Sequence, residues 1–282
     1  ADNRAVLKDP FAAGFVLASG EAGLQAAIVF ACILTLAAGA SCLNNCQDRR
    51  LDAGMARTMN RPLPAGRISL VPALILACVL LLVGGIGLVM ARFPPSAVLA
   101  AALSVLLYNG VYTPLKRLTA LSLLPGVMCG SLPPLIGWLA AGAGITDPAV
   151  WCLMIIFGLW QPPHFWLVVI AHAGDYLGRE VPTKLGVFSR VQLSRILFVW
   201  TVMLGVSIQA LPLVMGVTSP VLYMLELVNF AILTGLFSLC LLKQSGYRML
   251  FAVLNVCVFA GVLLVIVARL CASAREYLPC AS

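Results

Sequence analysis

Apolar residues in this chain gather into long runs separated by short polar stretches. Eight runs are about twenty residues long: Leu24–Leu43, Ser69–Ala91, Ser96–Pro114, Leu118–Ala141, Pro148–Ala171, Gln192–Gly216, Pro220–Leu242 and Met249–Cys271. A helix rises about 1.5 Å per residue, so roughly 20 residues cross a hydrocarbon core of about 30 Å. No stretch shows the short, strict alternation of a membrane β-strand. A weaker ninth run, Pro10–Ser19, is too short to cross as it stands and predicts a truncated or interfacial helix. No polar domain or linker interrupts the series. The pattern therefore predicts an all-α, polytopic membrane bundle forming one domain over residues 1–282. The polar start, Ala1–Pro10, does not read as a cleavable signal peptide.

Composition agrees: 62% of residues are hydrophobic and only 10% charged. The net charge of +8 would hint at nucleic acid in a soluble protein. Here it reads as a topology signal, and no nucleic-acid partner is expected. Lys and Arg cluster in alternate loops: Arg49, Arg50, Arg57, Arg61 and Arg67; then Lys116 and Arg117; then Arg179, Lys184, Arg190 and Arg195; then Lys243 and Arg248. The intervening loops carry little beyond Arg92. Positive loops stay in the cytoplasm, so the polar loops are expected there, in a bacterial inner membrane. With the short first run counted as a crossing, the N-terminus is cytoplasmic and the C-terminus outside. The ten cysteines show no metal-binding spacing and read as small hydrophobes, with Cys271 and Cys280 the one pair worth considering as a bridge.

The candidate chemistry lies in Asn44–Gly66. Asn44, Asp48 and Asp52 are spaced four apart, which stacks them on one helical face. Two carboxylates and a carboxamide so placed suit Mg²⁺, which takes oxygen ligands and leaves part of its shell to substrate phosphate. Arg57 and Arg61 follow at the same spacing, with Pro62 expected to end the helix. Metal-bound acids beside guanidiniums are what a diphosphate leaving group needs. The plain alternative is a solvated loop whose acids and arginines pair at the surface. His164 and His172 are the only histidines, two helical turns apart, with Asp175 three residues on. Polar groups at membrane depth often mark substrate paths, although packing is the commoner use of a lone histidine. Pro162 and Pro163 should kink the helix before His164. Glu226, inside an apolar run with Asn229 three residues on, reads as an interior-facing side chain with a hydrogen-bond partner. Met55, Trp138 and Trp166 read as packing.

The string DRRLDAGMARTMNRP at Asp48–Pro62 resembles the first aspartate motif of the UbiA-type intramembrane prenyltransferases. It is closest to their protohaem farnesyltransferase branch. YTPLKR at Tyr112–Arg117, GSLPPLIGW at Gly130–Trp138 and WQPPHFW at Trp160–Trp166 support that branch. The resemblance covers about residues 24–270 and implies nine helices around a central cavity, with the aspartate loops at its cytoplasmic end. It implies catalytic, Mg²⁺-holding roles for Asp48, Asp52 and Asp175, with Asn44 as a further metal ligand. It implies diphosphate contacts for Arg57, Arg61, Lys116 and Arg117. Where many relatives carry a second aspartate, this chain has Arg179, so Arg179 and Lys184 take over part of the charge neutralisation. The implied substrates are farnesyl diphosphate and haem B, with His164 and His172 as haem contacts through imidazole. Membrane lipid is the implied surrounding and a downstream haem-modifying enzyme an implied partner. Two rivals stay open: a related enzyme with an aromatic, quinone-precursor or chlorophyll-like acceptor, and a membrane transporter.

Overall fold

The structure is a computed structural model that describes residues 10–56, 58–119, 122–171, 189–243 and 245–277. Among these residues every regular element is helical. The first is α1 (Pro10–Ser19), followed by α2 (Leu24–Ala53), α3 (Leu70–Met90) and α4 (Pro95–Val105). A π-helical stretch, Leu106–Tyr112, joins α4 without a break to α5 (Thr113–Leu118). Then come α6 (Leu123–Ala140), α7 (Pro148–Ala171), α8 (Arg190–Val214), α9 (Pro220–Leu242) and α10 (Tyr247–Tyr277). Eight of these rods, with α4 and α5 counted as one, are long and apolar enough to cross a membrane. The chain is a multi-pass membrane protein.

The helices pack into one bundle. Helix α2 packs on α3, α4 on α6, α6 on α7, α7 on α8 and α10, α8 on α9, and α9 on α10. The outward faces are apolar and uncovered, as at Val71, Ile75, Leu82 and Ile86 on α3 and Leu225 and Val228 on α9. In water such a belt would drive aggregation; in lipid it costs nothing, and the backbone polar groups are spent inside each helix. The WQPPHFW and GSLPPLIGW strings fall on α7 and α6, each with a proline pair within the helix.

Helix α1 is truncated, one of the two expectations, and not interfacial. Its Ala12, Phe15, Val16 and Leu17 are at most 3% exposed, and it lies against α6 inside the bundle. At ten residues it is about 15 Å long, half a hydrocarbon core. Gly14 allows that fit: a Cβ there would stand 2.0 Å from the Pro134 carbonyl oxygen.

Helix α2 also outruns its apolar run. Its 30 residues make a rod of about 45 Å, some 15 Å longer than the hydrocarbon core. The last three turns are therefore polar yet helical, and they carry Asn44, Asp48 and Asp52. The helix stops at Ala53 with Gly54 as its cap, well before Pro62. The cysteines Cys46, Cys240 and Cys257 are buried and Cys78 and Cys271 exposed; all described cysteines are free thiols. Cys280 lies outside the described residues.

Gly14→Val should lower the melting temperature of the detergent-solubilised protein by several degrees, the overpacking cost being about 1–3 kcal/mol. Gly85→Val is the control, since nothing stands within 4 Å of a Cβ there. Its melting temperature should match the unmodified protein, and equal losses in both variants would remove the α1–α6 contact from the account.

Candidate active site

One face of α2 lines a cavity of about 650 Å³. The lining positions Ile33, Ala37, Ala40, Asn44, Asp48 and Asp52 recur every three or four residues, as one helical stripe must, with Leu36 beside them. The opposite walls come from the α4–α5 rod, α6 and α7. The stripe runs from apolar to acidic. Ile33 to Asp48 spans about 22 Å along the helix axis. The cavity is thus a greasy tube with a charged rim.

At the rim, Asn44, Asp48 and Asp52 are all buried, at 9%, 4% and 6% exposure. Buried carboxylates need partners, and three cations supply them. Arg117 donates to Asp48 Oδ1 at 2.9 Å, and Lys116 Nζ donates to Asp48 Oδ2. Arg61 donates to Asp52 Oδ2 at 2.9 Å and to Asn45 Oδ1 at 3.0 Å. The structure thus brings together Asp48, Asp52, Arg61, Lys116 and Arg117. It does so without the long helix expected through Arg61. After Gly54 the chain turns tightly: the Thr58 hydroxyl donates to the Asp52 carbonyl, and the Arg61 N–H to the Thr58 carbonyl. Those turns carry Arg61 back over the end of α2. Arg57, His172, Asp175, Arg179 and Lys184 lie outside the described residues.

Asn44 is oriented by a partner that the motif reading missed. The Thr113 hydroxyl gives its proton to the Tyr108 carbonyl at 2.7 Å. It can then only accept, and it accepts from Asn44 Nδ2 at 2.8 Å. The carbonyl end of Asn44 is left for another ligand. The wide turns around Tyr108–Tyr112 are held by a second pair. Gln47 donates to the Asn109 carbonyl at 3.0 Å, and Asn109 donates to the Ala40 carbonyl at 2.9 Å. The Gln47 side chain of α2 thereby satisfies a carbonyl that the π-helical stretch loosens, and such stretches are frequent at functional sites. The stretch presents Tyr108 and Tyr112 to the cavity, their rings stacked with centroids 5.7 Å apart. Lys116 lies over the Tyr112 ring at 5.4 Å.

His164 lines the cavity from α7, together with Gln161, Phe165 and Trp166. Gln161 lies across Gly130 of α6, where any Cβ would stand 2.0 Å from its amide nitrogen. Met55 and Val169 share a small buried cluster with Leu51 and Phe165, so the last turns of α2 and α7 are level. His164 is five residues back from Val169, about 7.5 Å along the helix, close to the level of the acidic rim. Its ring is flanked by Trp160 and Phe251, with centroids at 4.5 and 4.8 Å, and its Nδ1 is 3.2 Å from Asn255 Oδ1. Met55 and Trp166, read from sequence as packing, line the cavity too; Trp138 is 2% exposed and donates to the Gly144 carbonyl. Glu226 is far from all this on α9. It is fully buried, as expected, but its two carboxyl oxygens make no hydrogen bond of ordinary geometry.

The donor set at the rim fits a hard divalent cation. Two carboxylates and a free carboxamide oxygen on one helical face match what Mg²⁺ takes from proteins, with the rest of its shell left to water and phosphate. Among the described residues no three or more His, Cys, Asp or Glu come together as a metal site, so the described ligands are these two carboxylates and the Asn44 carboxamide.

Residues 10–248 match the UbiA prenyltransferase family. The chain is 42% identical over 180 residues to the protoheme IX farnesyltransferase of Oleidesulfovibrio alaskensis, covering 60% of each chain. It is 40% identical over 201 residues to the protein of the same name from Geobacter sulfurreducens, covering 71% of this chain and 73% of the relative. In structure it resembles a UbiA homolog from Aeropyrum pernix K1, with a TM-score of 0.72 at 19% identity over 96% of this chain and 98% of the other. It also resembles a UbiA homolog from Archaeoglobus fulgidus bound to DMAPP and Mg²⁺, with a TM-score of 0.61 at 17% identity over 92% and 97%. At those identities the structural likeness is one of fold.

Asp48→Asn should leave Lys116 and Arg117 without their counter-charge at a buried rim. The expected loss of stability is about 1–3 kcal/mol, toward the lower end because Arg117 is 44% exposed and water screens it. Thermal unfolding in detergent should register this, while Glu21→Gln, at an exposed position, should not move. An unchanged midpoint for Asp48→Asn would mean that the pairs contribute nothing to the fold.

Proposed function

The chain belongs to the UbiA prenyltransferase family, and on that premise we propose that it transfers the farnesyl group of farnesyl diphosphate to a vinyl group of haem B, giving haem O and diphosphate. The observation that carries this reading is the pairing, across one cavity, of an acidic and basic rim with an aromatic wall bearing His164. The names of the relatives at 36–42% identity support the same acceptor and donor. The solved relative that holds DMAPP and Mg²⁺ supports the metal and the diphosphate chemistry.

The geometry supports roles for the described residues, and the sequence motifs support those of the others. The apolar stripe from Ile33 to Ala40 takes the isoprenoid chain, and its length of about 22 Å up to Asp48 suits three isoprene units with their diphosphate. Asp48, Asp52 and the Asn44 carbonyl would hold Mg²⁺, with Asp175 as a further ligand, and the metal supplies charge neutralisation for the departing diphosphate. Arg61, Lys116 and Arg117 are at the same rim, where their N–H groups can turn to phosphate oxygens; Arg57, Arg179 and Lys184 are assigned the same task from the sequence. As the allylic C–O bond breaks, its electrons leave with the diphosphate. The terminal vinyl carbon of the haem bonds to farnesyl C1, and water adds to the other vinyl carbon with loss of a proton. The apolar walls keep water from the allylic cation until the new C–C bond exists. Tyr108, Tyr112 and Trp166 give the wall the aromatic character that suits a macrocycle, and His164 offers an imidazole to its iron. His172 is a second contact on the same reasoning. The basic rim faces the cytoplasm by the distribution of Lys and Arg.

The test is a single-turnover assay of the purified chain with haem B, farnesyl diphosphate and Mg²⁺, read by mass spectrometry of the porphyrin. Haem O should form. Failure with haem B but prenylation of an aromatic or quinone-precursor acceptor would replace the acceptor and keep the chemistry. Asp48→Ala and Asp52→Ala should each reduce turnover at least a thousandfold, about 4 kcal/mol of lost transition-state stabilisation. Near-normal turnover in either variant would remove the carboxylates from the mechanism. Arg61→Lys keeps the charge but loses the planar fork. It should weaken farnesyl diphosphate binding about tenfold and leave haem binding unchanged; equal weakening of both would mark structural damage.

A further inference from the structure

Helix α10 is apolar from Met249 to Ala268 except for Asn255. Its carboxamide is not spent on a neighbouring helix at random. Asn255 Nδ2 donates to the Phe251 carbonyl at 2.5 Å. Its Oδ1 accepts from Trp160 Nε1 at 3.2 Å and lies 3.2 Å from His164 Nδ1. Two of these partners can play one part only: a carbonyl accepts and an indole N–H donates. Together they leave one orientation for the amide, with Oδ1 toward both Trp160 and His164. An amide oxygen has two lone pairs and no proton to give. The remaining lone pair therefore needs a hydrogen on His164 Nδ1.

We infer that Asn255 is a positioning residue that holds His164 as the Nδ1–H tautomer and so presents the Nε2 lone pair to the cavity. Trp160 and Phe251 pack against the ring at tilts of 56° and 46°, which restricts its turning. Trp160 is itself held at its edge by Phe259, with centroids 5.8 Å apart. The other tautomer would set two lone pairs against each other at Nδ1 and put a proton where a ligand should bind. A neutral imidazole with an open Nε2 is the form that ligates a metal, and a partner on the opposite nitrogen commonly raises metal affinity ten- to a hundredfold. That the metal is the iron of the acceptor haem rests on the function proposed above; the tautomer does not.

The first measurement needs no substrate. The chain has two histidines, so the ¹⁵N spectrum of histidine-labelled protein in detergent is readable, and His164→Ala identifies the His164 signals by their loss. His164 should show a protonated Nδ1 and an unprotonated Nε2. In Asn255→Leu the proton should move to Nε2, and in Asn255→Asp, which still accepts, it should stay on Nδ1. A protonated Nε2 in the unmodified chain, or no change in Asn255→Leu, overturns the inference. Should Asn255→Leu fail to fold, Asn255→Asp and the unmodified chain still decide the tautomer. The second measurement is titration with ferric haem B. Asn255→Leu should weaken binding about tenfold and alter the Soret band, with farnesyl diphosphate affinity unchanged. In a His164→Ala background the same substitution should add nothing. An equal further loss there would make Asn255 a packing residue. A correct tautomer in a chain that does not bind haem would sink the acceptor assignment and leave the inference standing.

Discussion

Two carboxylates on one face of α2 have to be buried and neutralised at once, and much of the molecule is arranged around that need. Left unpaired, they would cost several kcal/mol each or lose their charge. Paired, they tie three separate pieces of chain together: the end of α2, the turns that return Arg61, and α5 with Lys116 and Arg117. The π-helical stretch before α5 lies within this arrangement, since Gln47 and Thr113 donate to two of its carbonyls and Asn44 donates to the Thr113 hydroxyl. Among the described residues the rim has three cations for two carboxylates, an excess of positive charge that favours an anion. A metal on the carboxylates would only add to it.

Below the rim the demand is the opposite. A reactive allylic group needs a wall that offers it nothing to react with, and Ile33, Leu36, Ala37 and Ile136 provide one. Close helix contacts shape that wall from outside. Gly14 lets α1 lie on α6 at Pro134, and Gly130 lets Gln161 cross from α7. The aromatic side, with Tyr108, Tyr112, His164 and Trp166, faces the same space. Polar rim, apolar tube and aromatic wall are thus one cavity whose parts come from four regions of the chain.

Much of this was legible in the sequence. Membrane spans announce themselves by length, and the runs ending at Ala171 and Leu242 coincide with the ends of α7 and α9. The four-residue spacing of Asn44, Asp48 and Asp52 foretold a shared face, because helical period is local. Hydropathy failed at the end of α2 for a physical reason: a helix face turned toward a charged cavity is polar without ceasing to be helical. The same cause hid the stop at Gly54, where a tight set of turns replaces the helix expected up to Pro62. Helix α1 was legible as truncated or interfacial; it is truncated, and its burial went unread because a short apolar segment has no sequence mark for burial within a bundle. The contacts Asn44–Thr113 and His164–Asn255 join residues 69 and 91 positions apart, and no periodicity reports such a pair. Asn255 did leave one trace, a single carboxamide in an otherwise apolar run.

The account stands on the claim that the cavity beneath Asp48 and Asp52 holds the isoprenoid chain. A farnesyl diphosphate analogue with a photoreactive group at its far end, irradiated with the purified chain in lipid nanodiscs and Mg²⁺, tests this directly. Peptide mass spectrometry should find adducts on Ile33, Leu36 or Ile136, lost when unlabelled farnesyl diphosphate competes. Adducts on the lipid-facing Ile75 and Val79 of α3, unaffected by competition, would contradict it.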